Sequence, residues 1–357
     1  MRLYRAQIRR TEKLLIRSTN WIGDAVMITP AVRAIRSHFP RARISVLAKP
    51  WVAPVFADSP DVDEVILYEE TGVAAPVRVA RKLRRCRFDM AFLLQHAFEA
   101  ALIAFLAGIP TRIGYRRDGR GPLLTHPVPC PPPIRTVHQT DYYLNILRAV
   151  GLWAFNQDLG LKVPSENLQR ARKMLFDRGV PDGAPVVGIN PGAAYGPAKQ
   201  WFPERFAALS DRLQERYRCR VVLFGGPSDR RLGERIAETA QKKVINLAGR
   251  TRLQDAIALI ALCRLFVTND SGLMHVAAGL GVPLVAIFGS TNPATTGPWS
   301  NNSRVVRASV PCSPCLMPQC PEGHLSCMRQ IEVSTVMDAA ESLLASRAAG
   351  RNPNRSN

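Results

Sequence analysis

The chain has 357 residues, which is too long for one ordinary hydrophobic core and fits two domains. Its 46% hydrophobic content excludes a disordered or fibrous protein. The net charge of +20 is shared by both halves, since 24 of the 48 basic and 13 of the 28 acidic residues precede residue 165. Such a surface favours nucleic acid, phosphate-bearing ligands or an acidic membrane as partners.

The start of the sequence shows no export signal, because residues 1–13 are polar and the following apolar run, Leu14–Ile16, is short. One longer apolar stretch, 90–109, is interrupted by a glutamine, a histidine and a glutamate. It therefore predicts a buried strand followed by a buried helix, in preference to a membrane span. We expect a cytoplasmic protein, where thiols stay reduced.

The first half alternates short strand-like runs with amphipathic helices, as in a parallel sheet covered on both faces. Strands are predicted at Lys13–Ser18, Arg43–Ala48 and Val65–Leu67. A helix is predicted over Asp24–Ser37. The alternation stops at Pro127–Pro133, which predicts an extended loop.

The alternation restarts after a connector at 151–183. The connector is predicted to carry a helix over Ser165–Arg178, with Ser165 as its N-cap and Gly179 after its end. The strands predicted beyond it are Pro185–Asn190, Arg220–Phe224, Leu265–Thr268 and Pro283–Phe288.

This pattern predicts two Rossmann-like, doubly wound α/β domains, at 1–164 and 165–347, and a disordered tail at 348–357. In open α/β sheets, ligands bind beyond the carboxyl ends of the strands. We therefore expect the chemistry where strands end, in a cleft between the two sheets. The basic segment Arg78–Arg87 is either a solvated helix face or an anion-binding patch.

In the first domain, a strand leads through Gly23 into a helix and places Asp24 at the helix N-terminus. Two interpretations of Asp24 stay open. It is either a carboxylate that stabilises the first helical turn or a general base that faces the cleft.

In the second domain, the strand ending at Asn190 leads into a loop of small residues and Lys199, without the spacing of a Walker A motif. The strand ending at Thr268 is followed at once by Asp270-Ser271-Gly272 and a helix that contains His275. Backbone N–H groups at this helix start could hold a pyrophosphate, and Asp270 could bind sugar hydroxyls. His275 is either structural or part of that site.

Two familiar enzyme motifs are missing from the sequence. The G-x-S-x-G motif of hydrolases does not surround Ser271, and the dinucleotide fingerprint G-x-G-x-x-G is absent. The first absence argues against a hydrolase, and the second argues against a dehydrogenase.

Four of the eight cysteines, Cys312, Cys315, Cys320 and Cys327, lie close together in a loop rich in Pro and Gly. Three interpretations stay open: free structural thiols, one or two disulfides, or a structural site for Zn²⁺ or another metal. In each case we predict a structural role and no catalytic metal or other cofactor.

Five segments between residues 19 and 300 carry a family resemblance. They are TNWIGDAVMITPAVRAIRSHFP, FLAGIPTRIGY, INPGAAYGPAKQWFPERFAAL, LFGGPSDRRLGERIA and TNDSGLMHVAAGLGVPLVAIFGSTNPATTGPWS. Together they resemble the ADP-heptose:lipopolysaccharide heptosyltransferases, and most of all the branch that adds the second heptose.

The resemblance implies a GT-B architecture, with an acceptor-binding first domain and a donor-binding second domain. It implies inverting, metal-independent transfer of L-glycero-D-manno-heptose from ADP-heptose to heptosyl-Kdo-lipid A. The implied partners are ADP-heptose, the lipid A-linked acceptor and the anionic inner face of the inner membrane, where the protein would lie peripherally. No specific nucleic acid is implied.

Individual roles also follow from the resemblance. Asp24 resembles the general base of the family, and Lys199 its pyrophosphate-binding lysine. The donor-binding residues implied are Asp270, Ser271, Gly272 and His275, with Asp229 near the ribose and Gly249–Leu253 beside the adenine. Apart from the resemblance, the positive charge of Arg78–Arg87 and of Arg112, Arg116 and Arg117 suits an acceptor rich in phosphate and carboxylate on an anionic membrane.

Two alternatives remain. One is another enzyme that uses a nucleotide sugar, either a different transferase or a GT-B sugar epimerase. The epimerase would need no lipid acceptor. The other is a basic nucleic-acid-binding protein, although the sequence has no helix-turn-helix, zinc-finger or aromatic RNP pattern.

Overall fold

The computed structural model describes residue 3 and residues 10–349, and the chain falls into two units, Met1–Lys162 and Val163–Asn357. Each unit is built around a six-stranded sheet in which all neighbouring strands are parallel. The inner strands of both sheets are buried along most of their length because helices cover the sheets.

The first sheet has the strand order β3-β2-β1-β4-β5-β6. Its strands are β1 (Lys13–Arg17), β2 (Arg43–Ala48), β3 (Glu64–Leu67), β4 (Met90–Leu93), β5 (Thr111–Tyr115) and β6 (His126–Val128). Its helices are α1 (Ile22–Met27), α2 (Thr29–His38), α3 (Pro54–Ala57), α4 (Ala75–Cys86), α5 (Phe98–Leu106) and α6 (Gln139–Ala149). The short 3₁₀ helices are Gly121–Leu123 and Pro132–Arg135.

The single helix predicted over Asp24–Ser37 is wrong, because α1 and α2 are separated at Ile28. Pro30 has no N–H group to donate to the carbonyl of Val26. The hydroxyl of Thr29 donates to that carbonyl at 2.8 Å. A side chain thus replaces the backbone hydrogen bond that proline removes.

The extended loop predicted at Pro127–Pro133 is wrong at both ends, since its last two residues begin the 3₁₀ helix Pro132–Arg135. Pro127 and Val128 belong to β6, which pairs only with β5 at the edge of the sheet. Proline is tolerated at such an edge because one side of the strand needs no ladder hydrogen bonds.

The second sheet has the order β12-β11-β10-β7-β8-β9. Its strands are β7 (Val186–Asn190), β8 (Arg220–Leu223), β9 (Ile245–Asn246), β10 (Leu265–Asn269), β11 (Leu284–Phe288) and β12 (Ser303–Arg307). Its helices are α7 (Ser165–Phe176), α8 (Pro203–Tyr217), α9 (Arg230–Thr239), α10 (Leu253–Ala261), α11 (Gly272–Gly279), α12 (Pro293–Thr296), α13 (Ser326–Arg329) and α14 (Val333–Ala349). The short 3₁₀ helices are Pro197–Lys199 and Pro227–Asp229.

Two predicted chain boundaries differ from the structure. Ser165 is the first residue of α7 and not its N-cap, which is Pro164 without a side-chain hydrogen bond. Of the predicted tail, residues 348 and 349 are the end of α14, and 350–357 lie outside the described residues.

The apolar stretch 90–109 forms strand β4 and helix α5, which confirms the prediction of a strand followed by a helix. Across the residues that the structure describes, no helix combines the length and apolarity needed to cross a membrane.

Candidate active site

Both sheets have the Rossmann strand order, in which the chain direction across the sheet reverses beside the first strand. The reversal lies between β1 and β4 in one unit and between β7 and β10 in the other. Loops on either side of such a point diverge and leave a crevice at the carboxyl edge. With the exception of Arg112, all predicted site residues follow the carboxyl ends of strands.

Asp24 is the third residue of α1 and is half-buried. The hydroxyl of Tyr143, from α6, donates a hydrogen bond to its Oδ1 at 3.0 Å. Burial of Tyr143, reinforced by the Asp24 carboxylate, holds the pKa of that phenol well above its ordinary value. The phenol therefore keeps its proton and orients the carboxylate.

A buried arginine that the sequence analysis missed lies beyond β4 and β5. Arg120 is fully buried and donates through Nε to the carbonyl of Tyr115 at 2.8 Å and through Nη1 to that of Gln95 at 2.5 Å. Within the described structure, its Nη2 has no hydrogen-bond partner. Burial lowers the pKa of Arg120 to about 10. The only sequence signal was the position of this arginine between two glycines, Gly119 and Gly121.

Arg117 joins this region through a hydrogen bond from Nη1 to the hydroxyl of Tyr142 at 3.0 Å. The rings of Tyr142 and His96 are nearly perpendicular, with their centroids 5.7 Å apart. Burial, and then the charges of Arg117 and Arg120, lower the pKa of His96 to about 4. The ring of Tyr142 packs against that of Tyr143, with the centroids 5.5 Å apart. The cationic cluster formed by Arg117 and Arg120 therefore adjoins Asp24, the partner of Tyr143.

The structure does not bring the other two predicted arginines to the cluster. Arg112 is at the amino end of β5, where its guanidinium donates to the carbonyls of Leu123 and Ile109 at 2.6 and 2.5 Å. Arg116 is exposed, with its stem beside Gly121. Only Arg117 lies beside the Asp24 region.

In the second unit, Lys199 and Asp270 form an ion pair with Nζ and Oδ2 at 2.6 Å. Both side chains are almost buried, with 12% and 5% of their surface exposed. Thr291, which follows β11, donates to the same carboxylate oxygen at 2.7 Å, and Lys199 lies over the Tyr195 ring at 4.8 Å. Two residues predicted separately are thus direct partners, while Thr291 and Tyr195 were missed.

Ser271 is held by polar side chains from two strands. Its hydroxyl lies 2.8 Å from Nδ2 of Asn190 and 3.1 Å from the hydroxyl of Thr268, and it accepts the N–H of Met274 at 3.4 Å as N-cap of α11. The Ser271 hydroxyl therefore stabilises the fold through these hydrogen bonds. His275 is 3% exposed and lies inside the unit rather than on a loop surface.

Three further loops meet around Asp229, which ends a 3₁₀ turn after β8. Its Oδ2 accepts the N–H of Gly226 at 2.8 Å, while burial raises the pKa of Asp229. A Cβ on Gly192, after β7, would clash with this carboxylate. The N–H of Gly249, after β9, donates to the carbonyl of Gly225 at 3.0 Å. The structure therefore places Asp229 beside the Gly249 turn.

The four clustered cysteines are free thiols. Burial, and then the other three thiols, raise the pKa of Cys327, so the four lie within electrostatic reach of one another. In the described ranges, no group of three or more His, Cys, Asp or Glu side chains is arranged to hold a metal ion.

The cysteine loop contacts both sides of the Lys199–Asp270 pair. The N–H of Ala198 donates to the carbonyl of Pro318 at 3.0 Å, directly before Lys199 in the chain. The N–H of Leu316 donates to the carbonyl of Ser290 at 2.7 Å, directly before Thr291. The loop is therefore placed to support the segments that carry this site.

The chain is similar to known proteins in both sequence and structure. Glycosyltransferase family 9 (heptosyltransferase) matches residues 77–326. Lipopolysaccharide heptosyltransferase 2 of Salmonella typhimurium is 33% identical over 352 residues, covering 93% of this chain and 99% of that protein. The structure of Escherichia coli ADP-heptose lps heptosyltransferase II is similar with a TM-score of 0.82 at 31% identity, over 94% of this chain and 99% of that chain. A family 9 glycosyltransferase structure from Veillonella parvula gives 0.83 at 26% identity, over 94% and 97%.

The two Rossmann-like sheets and this structural similarity define a glycosyltransferase of the GT-B architecture, which confirms the predicted fold class. More particularly, the chain belongs to glycosyltransferase family 9, the heptosyltransferases.

Proposed function

We propose that the chain transfers L-glycero-D-manno-heptose from ADP-heptose to the heptosyl-Kdo-lipid A inner core of lipopolysaccharide. The observation that carries the donor assignment is the nearly buried Lys199–Asp270 pair at the strand reversal of the second sheet. The acceptor assignment is supported by the similarity to lipopolysaccharide heptosyltransferase 2 along almost the whole chain.

The second predicted domain, residues 165–347, would bind the donor. Lys199 and the N–H groups at the start of α11, including Gly272, would contact the diphosphate, because cations and helix N-termini stabilise phosphate charge. Asp270, oriented by Thr291, would accept hydrogen bonds from heptose hydroxyls. Asp229 would bind the ribose, and the Gly249 turn would lie beside the adenine.

The first predicted domain, residues 1–164, would bind the acceptor. Asp24 would take the proton from the acceptor heptose hydroxyl as its oxygen bonds to the anomeric carbon of the donor. The bond from that carbon to the diphosphate oxygen breaks on the opposite face, so the electron pair leaves with ADP and the anomeric centre inverts. Lys199 would stabilise the growing charge on the diphosphate. Arg117, beside the Asp24 region, would face anionic groups of the acceptor.

The same proposal places the protein at the inner face of the inner membrane, as a peripheral cytoplasmic enzyme. A lipid-linked acceptor is confined to the bilayer, and the net charge of +20 attracts the chain to anionic lipids.

A transfer assay with radiolabelled ADP-heptose tests the proposal, using lipid A cores that carry no, one or two heptoses. We expect label only on the core with one heptose, and no label with Asp24→Asn. Label on the heptose-free core would refute the acceptor assignment. Label from another nucleotide sugar, but not from ADP-heptose, would refute the donor assignment.

A further inference from the structure

Helices α4 and α5 pack side by side on the first unit. Val79 and Leu83 of α4 share one apolar core with Ala101 and Ala104 of α5. Nη2 of Arg84 donates to the carbonyl of Leu106 at 2.6 Å and ties the helices together at one end. The outward faces of the two helices therefore form one continuous surface.

The outward face of α4 is a band of cations. Its exposed basic residues, with the one that follows the helix, are Arg78, Arg81, Lys82, Arg84, Arg85 and Arg87. In the part of the chain that is described, none of these six side chains takes part in an ion pair. Residues 71–106 contain these six basic residues and only two acidic ones.

The outward face of α5 is apolar. Phe98 and Phe105 are 46% and 47% exposed, and Leu102 and Leu106 are half-buried at helical spacing between and beside them. The helix has one charged residue, Glu99, whose carboxylate accepts the hydroxyl of Tyr68. An unusually apolar helix thus presents a phenylalanine–leucine stripe to solvent.

The stripe continues around its edges. Val73 and Phe98 line a groove of about 440 Å³ at the start of α4, which Glu70 and Glu99 also line. Val77, on α4 itself, is 45% exposed, and the Arg112 guanidinium lies 5.4 Å from the Phe105 ring. Apolar and cationic groups therefore lie side by side on one surface, and an exposed apolar patch with a polar rim marks an interaction site.

We infer that the α4–α5 surface docks the protein onto an anionic phospholipid bilayer. The phenylalanines of α5 enter the boundary between headgroups and acyl chains, and the cations of α4 meet the lipid phosphates. Apolar and basic residues on one surface are the combination that interfacial helices use. A nucleic acid would satisfy the cations but leave Phe98 and Phe105 in water. The inference rests on the proposed function only in that the acceptor is lipid-linked.

Vesicle sedimentation of the full chain tests the charge contribution. Vesicles of phosphatidylglycerol and phosphatidylcholine are compared with vesicles of phosphatidylcholine alone, without saccharide or ADP-heptose. We expect binding to the anionic vesicles only. Arg81→Gln/Arg85→Gln should lower the partition coefficient about 30-fold, since each basic residue near an anionic surface contributes about fivefold. The matched control, Lys242→Gln/Lys243→Gln, removes two exposed charges from the other unit and should bind within about twofold of wild type.

The apolar contribution is tested with Phe98→Ser against Phe176→Ser, whose phenylalanine is 60% exposed on α7 of the second unit. We expect Phe98→Ser alone to lower binding, with unchanged circular dichroism for both variants. Equal binding to neutral vesicles, or no loss in the Arg81/Arg85 variant, would overturn the inference. A third result would also overturn the inference: the chain self-associates, and Phe98→Ser abolishes this self-association but leaves vesicle binding unchanged. The surface would then join two copies of the chain.

The vesicle result is independent of transfer. Lack of vesicle binding by an enzyme that labels detergent-solubilised acceptor would overturn the docking surface alone. Vesicle binding by a chain that does not transfer heptose would overturn the proposed function alone.

Discussion

The hydroxyl of Tyr143 donates a 3.0 Å hydrogen bond to Oδ1 of Asp24 and so links α6 to the first turn of α1. Because Tyr143 is buried and retains its proton, it leaves the carboxylate with acceptor capacity for a further donor. An oriented carboxylate at the carboxyl edge of a Rossmann-like sheet suits a general base better than a helix-stabilising charge alone.

Asp24→Asn should lower turnover by roughly 10²–10⁴-fold, because the amide cannot take a proton from the acceptor hydroxyl. Binding of ADP, measured by calorimetry, should not change. Tyr143→Phe removes only the orienting hydrogen bond, and we expect a loss of roughly tenfold or less. Turnover of Asp24→Asn close to that of wild type would rule out the base assignment.

Lys199→Ala should weaken the binding of both ADP and ADP-heptose, because the diphosphate loses its cation. The variant should also melt at a lower temperature, since removing one partner leaves Asp270 almost buried without its counter-charge. A double variant, Lys199→Met/Asp270→Asn, controls for this loss of stability. If it melts like wild type and still fails to bind ADP, the binding defect is separate from the fold.

Asp270→Asn should impair binding of ADP-heptose more than that of ADP, because the proposed contact is with the sugar. Calorimetry with both ligands measures the difference. Equal losses for the two ligands would contradict a sugar-contacting role and assign Asp270 only to holding Lys199.

The stability of the protein should fall in acid through His96. The ordinary pKa of histidine is 6.5, whereas that of native His96 is about 4. Between these values the unfolded chain binds a proton that the native chain does not, so the free energy of unfolding decreases as pH falls through this window. The contribution is at most about 3 kcal/mol. Urea unfolding at pH 7 and pH 4.5 should show a smaller pH-dependent loss for His96→Gln, and an identical loss in both proteins would disprove the effect.

Cys312→Ser/Cys315→Ser should lower the melting temperature but keep turnover, because the loop contributes backbone hydrogen bonds beside Lys199 and Thr291 and no side chain to the proposed chemistry. The measurements are thermal unfolding and transfer activity on protein purified with reductant, together with elemental analysis. We expect less than stoichiometric zinc. Lost turnover at unchanged melting temperature would refute a structural role, and one zinc per chain would refute free thiols.

The fold could be predicted because most strands and helices are long enough to show the regular spacing of hydrophobic residues that is typical of their type. The elements missed were those that a period cannot reveal, such as the two-residue strand Ile245–Asn246 and the proline-containing edge strand β6. The break at Ile28 was missed because the sequence on both sides of it has the same helical period.

The candidate site was located by a local rule, that polar residues follow strand ends, but its pairings are not local. Lys199 meets Asp270, and Asp24 meets Tyr143, across long stretches of chain. Nothing in the surrounding sequence marks Tyr143 or Thr291 as a partner. Arg120 was hidden for a related reason, since an arginine in a glycine-rich turn is usually exposed and here is fully buried.

The central position of the first strand in each sheet has a consequence for folding. Leu14 of β1 pairs with Met90, and Val187 of β7 pairs with Leu265, so the middle of each sheet joins segments separated by much of the unit. Such distant pairings are slow to form, because the entropy of closing the loop must be lost before the contacts stabilise it. On a ribosome, β1 emerges with its exposed apolar residues long before β4 is made. We expect the nascent chain to pass through a stage in which it depends on chaperones.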